Sequence, residues 1–139
     1  MTFLDTNILV YALDSRDVRK QQISSALIEE ALASPSAFAI SVQTLSEFVN
    51  VALRKLKRPA QEVSEFLTVY RAIPTILPDG VLVSRGLEIA SRYGLQFYDS
   101  MMLAAAERAG ADVFYSEDLN AGQRYAGILA VNPFATEAD

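Results

Sequence analysis

Short apolar runs alternate along the chain with longer stretches in which apolar residues recur every three or four positions. The run "TFLD" (2–5) reads as a short buried strand, and "NILVYAL" (7–13) as a short helix behind it. In "DVRKQQISSALIEEALA" (17–33), Ile23, Leu27 and Ala31 share one helical face, and Pro35 closes the segment. A second strand, "AFAIS" (37–41), leads into a helix whose stripe is Leu45, Phe48, Val49, Ala52 and Leu56. That helix ends in "RKLKRP", where cations suit the carboxyl end and Pro59 stops continuation. Val63, Phe66, Leu67, Tyr70 and Ile73 mark a further helix, and "TILP" (75–78) a third strand. "GVLVSRGLEIASRYG" and "DSMMLAAAERAG" each read as a helix ending at a glycine, Gly94 and Gly110, in the carboxyl-cap position. "ADVFYS" (111–116) and "GILAV" (127–131) complete a set of five short strands. Strands alternating with helices in this way predict an α/β sandwich with a mostly parallel sheet. No linker or repeat divides the 139 residues, so one domain over 1–134 is expected, with 135–139 as a frayed tail.

Composition narrows the chemistry. At 51% hydrophobic and 21% charged, the chain suits a packed core. It contains no Cys and no His, which removes disulfides, thiolate sites, Ser–His–Asp triads and the usual zinc sites. No apolar run approaches the length of a membrane span. Asp5 interrupts the amino-terminal run and no basic segment precedes it, so a secretory signal is not indicated and a cytoplasmic location is expected. A net charge of −5 argues against a non-specific nucleic-acid coat, though bound divalent cations would offset part of it.

The unusual feature is an acid, Asp5, inside an apolar segment at the carboxyl end of the first predicted strand. Ligands of open parallel sheets bind outside the carboxyl ends of the strands. Three other acids fall at the same edge. Glu47 lies in the early turns of the helix after the second strand, Asp99 opens a later helix, and Asp118 follows the strand "DVFYS". Each has an ordinary reading alone: Asp99 and Asp118 as helix caps, Glu47 as a solvent-facing helix residue, Asp5 as the cap of the short helix behind it. Taken together, clustered oxygen donors without imidazole or thiolate suit Mg²⁺ or Mn²⁺, and such ions serve phosphoryl displacement. Other acid-edged α/β folds fit poorly. Asp5-Thr6-Asn7 lacks the second Asp of a dehalogenase-type phosphatase, no lysine follows position 57 as a receiver domain requires, and no glycine-rich phosphate loop is present. A non-catalytic binding module would leave the four acids unexplained as a set.

Four stretches, "FLDTNILVYALD", "SVQTLSEFVNVALRKL", "FYDSMMLAAAERAGADVFYSEDLNAGQ" and "VNPF", resemble the PIN-domain nucleases, and among them the VapC-type toxins of bacterial toxin–antitoxin pairs. The resemblance implies a three-layer α/β/α domain, Mg²⁺- or Mn²⁺-dependent endoribonuclease activity, homodimerisation and a small antitoxin that blocks the site. Carried over by residue, its acidic quartet is Asp5, Glu47, Asp99 and Asp118, supported by Asn7 and Ser116. A housekeeping nuclease of RNA processing is the alternative within the same family.

Expected contact surfaces follow. The basic run Arg54, Lys55, Lys57 and Arg58 is either a solvated helix end or a rim that contacts RNA phosphates. Apolar residues of "NILVYAL" and "VSEFLTVYRAI" exceed what a small domain needs to bury, which points to a dimer face. Leu45, Phe48, Phe66 and Tyr70 suggest a groove between the helices of 43–56 and 60–73 for an amphipathic antitoxin segment carrying an Arg to the acids. Tyr11, Phe97 and Tyr98 read as core residues.

Overall fold

The computed structural model describes residues 1–136, so 137–139 of the expected tail lie outside the described residues. The chain runs β1 (Thr2–Leu4), α1 (Thr6–Leu13), α2 (Val18–Ala33), β2 (Phe38–Ser41), α3 (Val42–Arg54) and α4 (Ala60–Tyr70). It continues through β3 (Thr75–Ile76), α5 (Gly80–Tyr93), α6 (Phe97–Ala109), β4 (Val113–Tyr115), β5 (Arg124–Tyr125) and β6 (Ile128–Val131). The strands form one sheet in the order β3-β2-β1-β4-β6-β5. All neighbouring pairs are parallel except β5–β6.

The sheet has six strands where the apolar pattern indicates five. The additional one, β5, is two residues long and pairs Arg124 with Leu129 and Tyr125 with Ile128. A two-residue strand has no alternation to read, and it exists because Tyr125 is buried in the core.

Alternate strand residues sort into two cores. Leu4, Phe38 and Ile40 pack against α1–α4 with Ile8, Leu9, Phe48, Val63 and Tyr70. Phe3, Ala39, Phe114, Ile128 and Ala130 pack on the other face against α5 and α6, with Leu82, Ile89, Met102 and Leu103. The result is a three-layer α/β/α arrangement. The chain leaves β1 toward β2 and β3 on one side and later returns to β4 and β6 on the other. The switch point of the sheet therefore lies at β1/β4, where a crevice opens at the strands' carboxyl ends.

Several surface expectations are corrected. Ile8, Leu9, Leu13 and Tyr70 are buried, so the apolar residues of α1 and α4 mostly serve the core. Phe48 and Tyr70 pack edge-to-face inside it, and no groove between α3 and α4 displays them. The apolar groove lies instead between α2 and α4, lined by Ile28, Leu32, Phe66 and Val69. Of the large apolar side chains left exposed among the described residues, Leu77, Val81, Val83 and Leu87 lie on or just before α5, and the others are scattered. Tyr98 is exposed, and Tyr11 and Phe97 are half-buried.

Helix α5 meets α6 at Gly86, where a Cβ would stand 2.8 Å from Met101 Cγ and 3.2 Å from its Cα. Helix propensity alone would favour Ala over Gly by about 1 kcal/mol. The backbone contact cannot yield without parting the helices, so overpacking outweighs propensity. Gly86→Ala is expected to lower stability by about 1–2 kcal/mol in urea unfolding; a stabilised variant would contradict this packing.

Candidate active site

Asp5 ends β1 and caps α1. Its Oδ1 accepts a hydrogen bond from the Thr6 amide at 2.7 Å, and its Oδ2 one from Ser116 Oγ at 2.7 Å. Thus Asp5 caps α1 with one oxygen while the other meets Ser116 beyond β4. Ser116 follows β4, adjacent to β1, and is buried. Its Oγ also accepts from the Asp118 amide at 3.0 Å. Asn7, the second residue of α1, donates through Nδ2 to Asp118 Oδ2 at 3.1 Å and lies 3.5 Å from Ser116 Oγ. One buried hydroxyl therefore ties the first acid to the loop that carries the last.

Glu47 is half-buried on α3 and not solvent-facing. Thr6 Oγ1 donates to its Oε2 at 2.7 Å, and Gln43, one turn earlier, donates Nε2 to its Oε1 at 2.9 Å. Gln43 Nε2 also donates to the Tyr98 carbonyl at 2.9 Å, which registers Glu47 against the residue preceding Asp99. The amino end of α3 is fixed by a reciprocal Ser41–Thr44 capping box, whose two hydroxyls also face Met102 Sδ of α6. Asp99 lies in the first turn of α6, which starts at Phe97 and not at Asp99, so Asp99 is not its cap. Asp118 caps no helix either.

All four acids line one cleft of about 400 Å³, together with Thr6 and Asn7. Burial is the first cause that raises the Asp5 pKa from 3.8 to about 7; the Ser116 and Thr6 hydrogen bonds pull it down, and Asp118 and Asp99 push it up. The Asp99 pKa is also raised, by burial first and then by Asp118 and Glu47. Asp5 thus feels Asp118 and Asp99, and Asp99 feels Asp118 and Glu47.

The donor set suits a hard cation in kind, being entirely oxygen. Among the described residues no three Asp or Glu side chains are drawn into a closed metal shell. That spacing has a physical cause. Like charges repel, and hydrogen bonds hold the oxygens of Asp5 and Glu47 in place. Asp99 has no side-chain hydrogen bond among the described residues, whereas exposed Asp118 is held through Oδ2 by Asn7.

Three participants are absent from the motif reading: Thr6, Gln43 and a network behind Asp118. In that network Tyr11 Oη donates to Glu117 Oε1 at 2.5 Å, and Lys20 Nζ donates to Glu117 Oε2 at 2.8 Å and to Tyr11 Oη at 3.3 Å. It pins the residue next to Asp118 to α1 and α2. Gln43 was legible in principle, four positions before Glu47. Lys20 and Tyr11 carry no such signal.

The basic run divides. Lys55 lines the cleft. Arg58 is structural, bonding Glu62 at 3.0 Å and the Leu13 carbonyl at 3.2 Å. Arg54 and Lys57 are exposed and do not border the cleft.

Residues 2–126 match the PIN domain family, and the chain belongs to that family. No curated protein matches it by sequence. Among solved structures, it is similar to a toxin–antitoxin complex from Klebsiella pneumoniae, at 22% identity and a TM-score of 0.66 over 96% of this chain and 98% of the other. It is also similar to Mycobacterium tuberculosis VapC20, a toxin that cleaves the sarcin–ricin loop, at 17% identity and a TM-score of 0.64 over 85% and 90%. FitAB bound to a DNA fragment aligns at 17% identity and a TM-score of 0.70 over 99% and 98%. At these identities the likeness establishes the fold.

The raised Asp5 pKa sets a stability prediction for the metal-free protein. Between about 3.8 and about 7 the unfolded chain has lost this proton and the folded chain keeps it. Stability from this group therefore falls as pH rises through that window, by up to about 1.4 kcal/mol per unit, and is fully lost above it. Asp5→Asn keeps the shape without the charge. In EDTA it should stabilise the protein by about 1–3 kcal/mol near pH 8 and by little near pH 4. Denaturant melts at both pH values check this; a gain independent of pH would refute the buried charge as its source.

Proposed function

We propose that this PIN-domain protein is a divalent-metal-dependent endoribonuclease and the toxin of a toxin–antitoxin pair. The observation that carries the reading is the convergence of Asp5, Glu47, Asp99 and Asp118, from four distant segments, on one cleft. Mg²⁺, with Mn²⁺ as substitute, would be held by these acids and would supply charge neutralisation at a phosphodiester together with a more acidic water. Thr6 and Gln43 aim Glu47, while Ser116 and Asn7 hold Asp5 and the Asp118 loop. With no His in the chain, the carboxylates are the side chains at hand to take the attacking water's proton.

The toxin role is supported by the structural neighbours, two of which carry toxin or toxin–antitoxin descriptions. The apolar α2–α4 groove, flanked by Glu29 and Glu65, suits an amphipathic antitoxin helix with a basic edge. The exposed apolar residues of α5 suit a homodimer contact.

Purified protein should cleave RNA with Mg²⁺, stop in EDTA and resume on adding Mg²⁺ or Mn²⁺. Asp99→Asn should lower cleavage more than about 100-fold, and Ser116→Ala, which removes support and not a ligand, about 10- to 100-fold. Unchanged circular dichroism must accompany both; full activity of Asp99→Asn would sink the proposal. For the dimer, sedimentation equilibrium should show a twofold mass that Leu87→Glu reduces to one chain, and an unchanged mass would place the contact elsewhere.

A further inference from the structure

Asp5, Glu47, Asp99 and Asp118 share their cleft with two further acids, Asp14 and Glu117, and with two cations, Arg16 and Lys55. Helix α1 starts beside Asp5 at Thr6, and α3 carries Glu47; both then run along the cleft. Cations lie beyond their far ends, one of them beside Asp14, the buried carboxylate that caps α1. Arg16 follows α1 and Lys55 caps α3, and both line the same cleft as the acids. Helix α1 spans eight residues from Thr6 to Leu13, and Lys55 follows Glu47 by eight positions, a rise of about 12 Å along the axis of α3.

The ordinary reading of Lys55 is a cation that complements the α3 carboxyl terminus. Arg16 does not share that reading. Its Nε and Nη2 grip the two oxygens of Asp14 at 2.9 and 2.8 Å, which leaves Nη1 for another acceptor. Asp14 is itself buried, and Arg16 holds its pKa below the usual carboxylate range. The guanidinium is therefore oriented in advance while its side chain remains 69% exposed. Lys55 is exposed beside the same space.

We infer that Arg16 and Lys55 form a phosphate subsite at the far end of the cleft, which takes a non-scissile phosphate of one RNA strand laid along α1 from the acidic cluster. This rests on the ribonuclease reading and adds a direction to it. A cleft of about 400 Å³ is of small-molecule size, with room for a nucleotide or two of one strand and none for a duplex. Lys55 and the free Nη1 of Arg16 give an acidic protein donors for a polyanion at a distance from Asp5 and Glu47, and such contacts fix the strand without reading its sequence.

The test measures binding of a fluorescein-labelled, unstructured RNA dodecamer to the uncut-strand variant Asp5→Asn across a KCl series. Lys55→Gln and Arg16→Gln in that background should each lower the slope of log affinity against log salt by about 0.7, the loss of one single-strand phosphate contact. Arg71→Gln removes an equal charge from a residue outside the cleft and should leave the slope unchanged. Because Arg16→Gln strips a buried carboxylate of its partner, the pair Asp14→Asn/Arg16→Gln is measured beside it; it keeps net charge constant and should lose the same slope. Slopes unmoved by Lys55 and Arg16, or moved equally by Arg71, overturn the subsite while wild-type cleavage leaves the ribonuclease reading standing. Absence of both RNA binding and wild-type cleavage overturns the ribonuclease reading, and the subsite with it.

Discussion

A carboxylate at the end of the central strand must be kept in a largely buried place, and much of the site is built around that requirement. Asp5 sits where β1 meets β4, at the switch point of the sheet. Burial opposes its charge, and two hydrogen bonds, from the Thr6 amide and Ser116 Oγ, offset only part of that opposition. The two donors belong to the elements that must be positioned for the site: the start of α1 and the loop after β4. Stabilising Asp5 therefore also places Asn7, Glu47 through Thr6, and Asp118 through Ser116. The unfavourable part of the balance is characteristic of functional sites, which trade stability for reactivity.

The remaining acids depend on helix docking, not on local turns. Glu47 and Asp99 lie on α3 and α6, which belong to opposite layers. They meet because both helices begin at the carboxyl edge of the sheet and because Gln43 spans them. The capping box of α3 packs its hydroxyls on Met102, so the cap that starts one helix also seats the other. Behind Asp118 there is no regular structure to hold the backbone. There the Lys20–Glu117–Tyr11 network takes over, with Lys20 also stacked 4.7 Å from the Tyr11 ring centroid and 5.6 Å from that of Phe134. Its partial burial makes it stronger than a surface ion pair of the same geometry.

Charge along the cleft follows the helices. Asp5 caps the start of α1 and Asp99 lies in the first turn of α6, the ends at which helix dipoles favour negative charge, while Glu47 sits in the second turn of α3. Cations collect where α1 and α3 finish. An acidic protein thus places two cations, Arg16 and Lys55, among the acids of its cleft.

Much of this was legible in the sequence, for a physical reason. The periods of two and three to four residues reflect local backbone geometry, so strands, helices and the left-handed glycine caps at Gly94 and Gly110 could be read without the fold. The parallel topology then placed Asp5, Glu47 and Asp118 at one edge, because acids that follow strands of a parallel sheet share an edge wherever the strands lie; Asp99 follows a helix, α5, and reaches that edge because α6 begins there. What the sequence did not contain was the side to which each surplus residue turns. Phe48 and Tyr70 look alike in pattern whether they line a groove or fill a core, and only the packing of α3 and α4 on the sheet put them inside. β5 was invisible because two residues show no period. Arg16, Lys55 and Arg58 are equivalent cations in a sequence; the tertiary structure alone turned the first two toward the cleft and tied the third to Glu62 and Leu13. Local periodicity determined the elements, and long-range packing decided which of their side chains were left free to act.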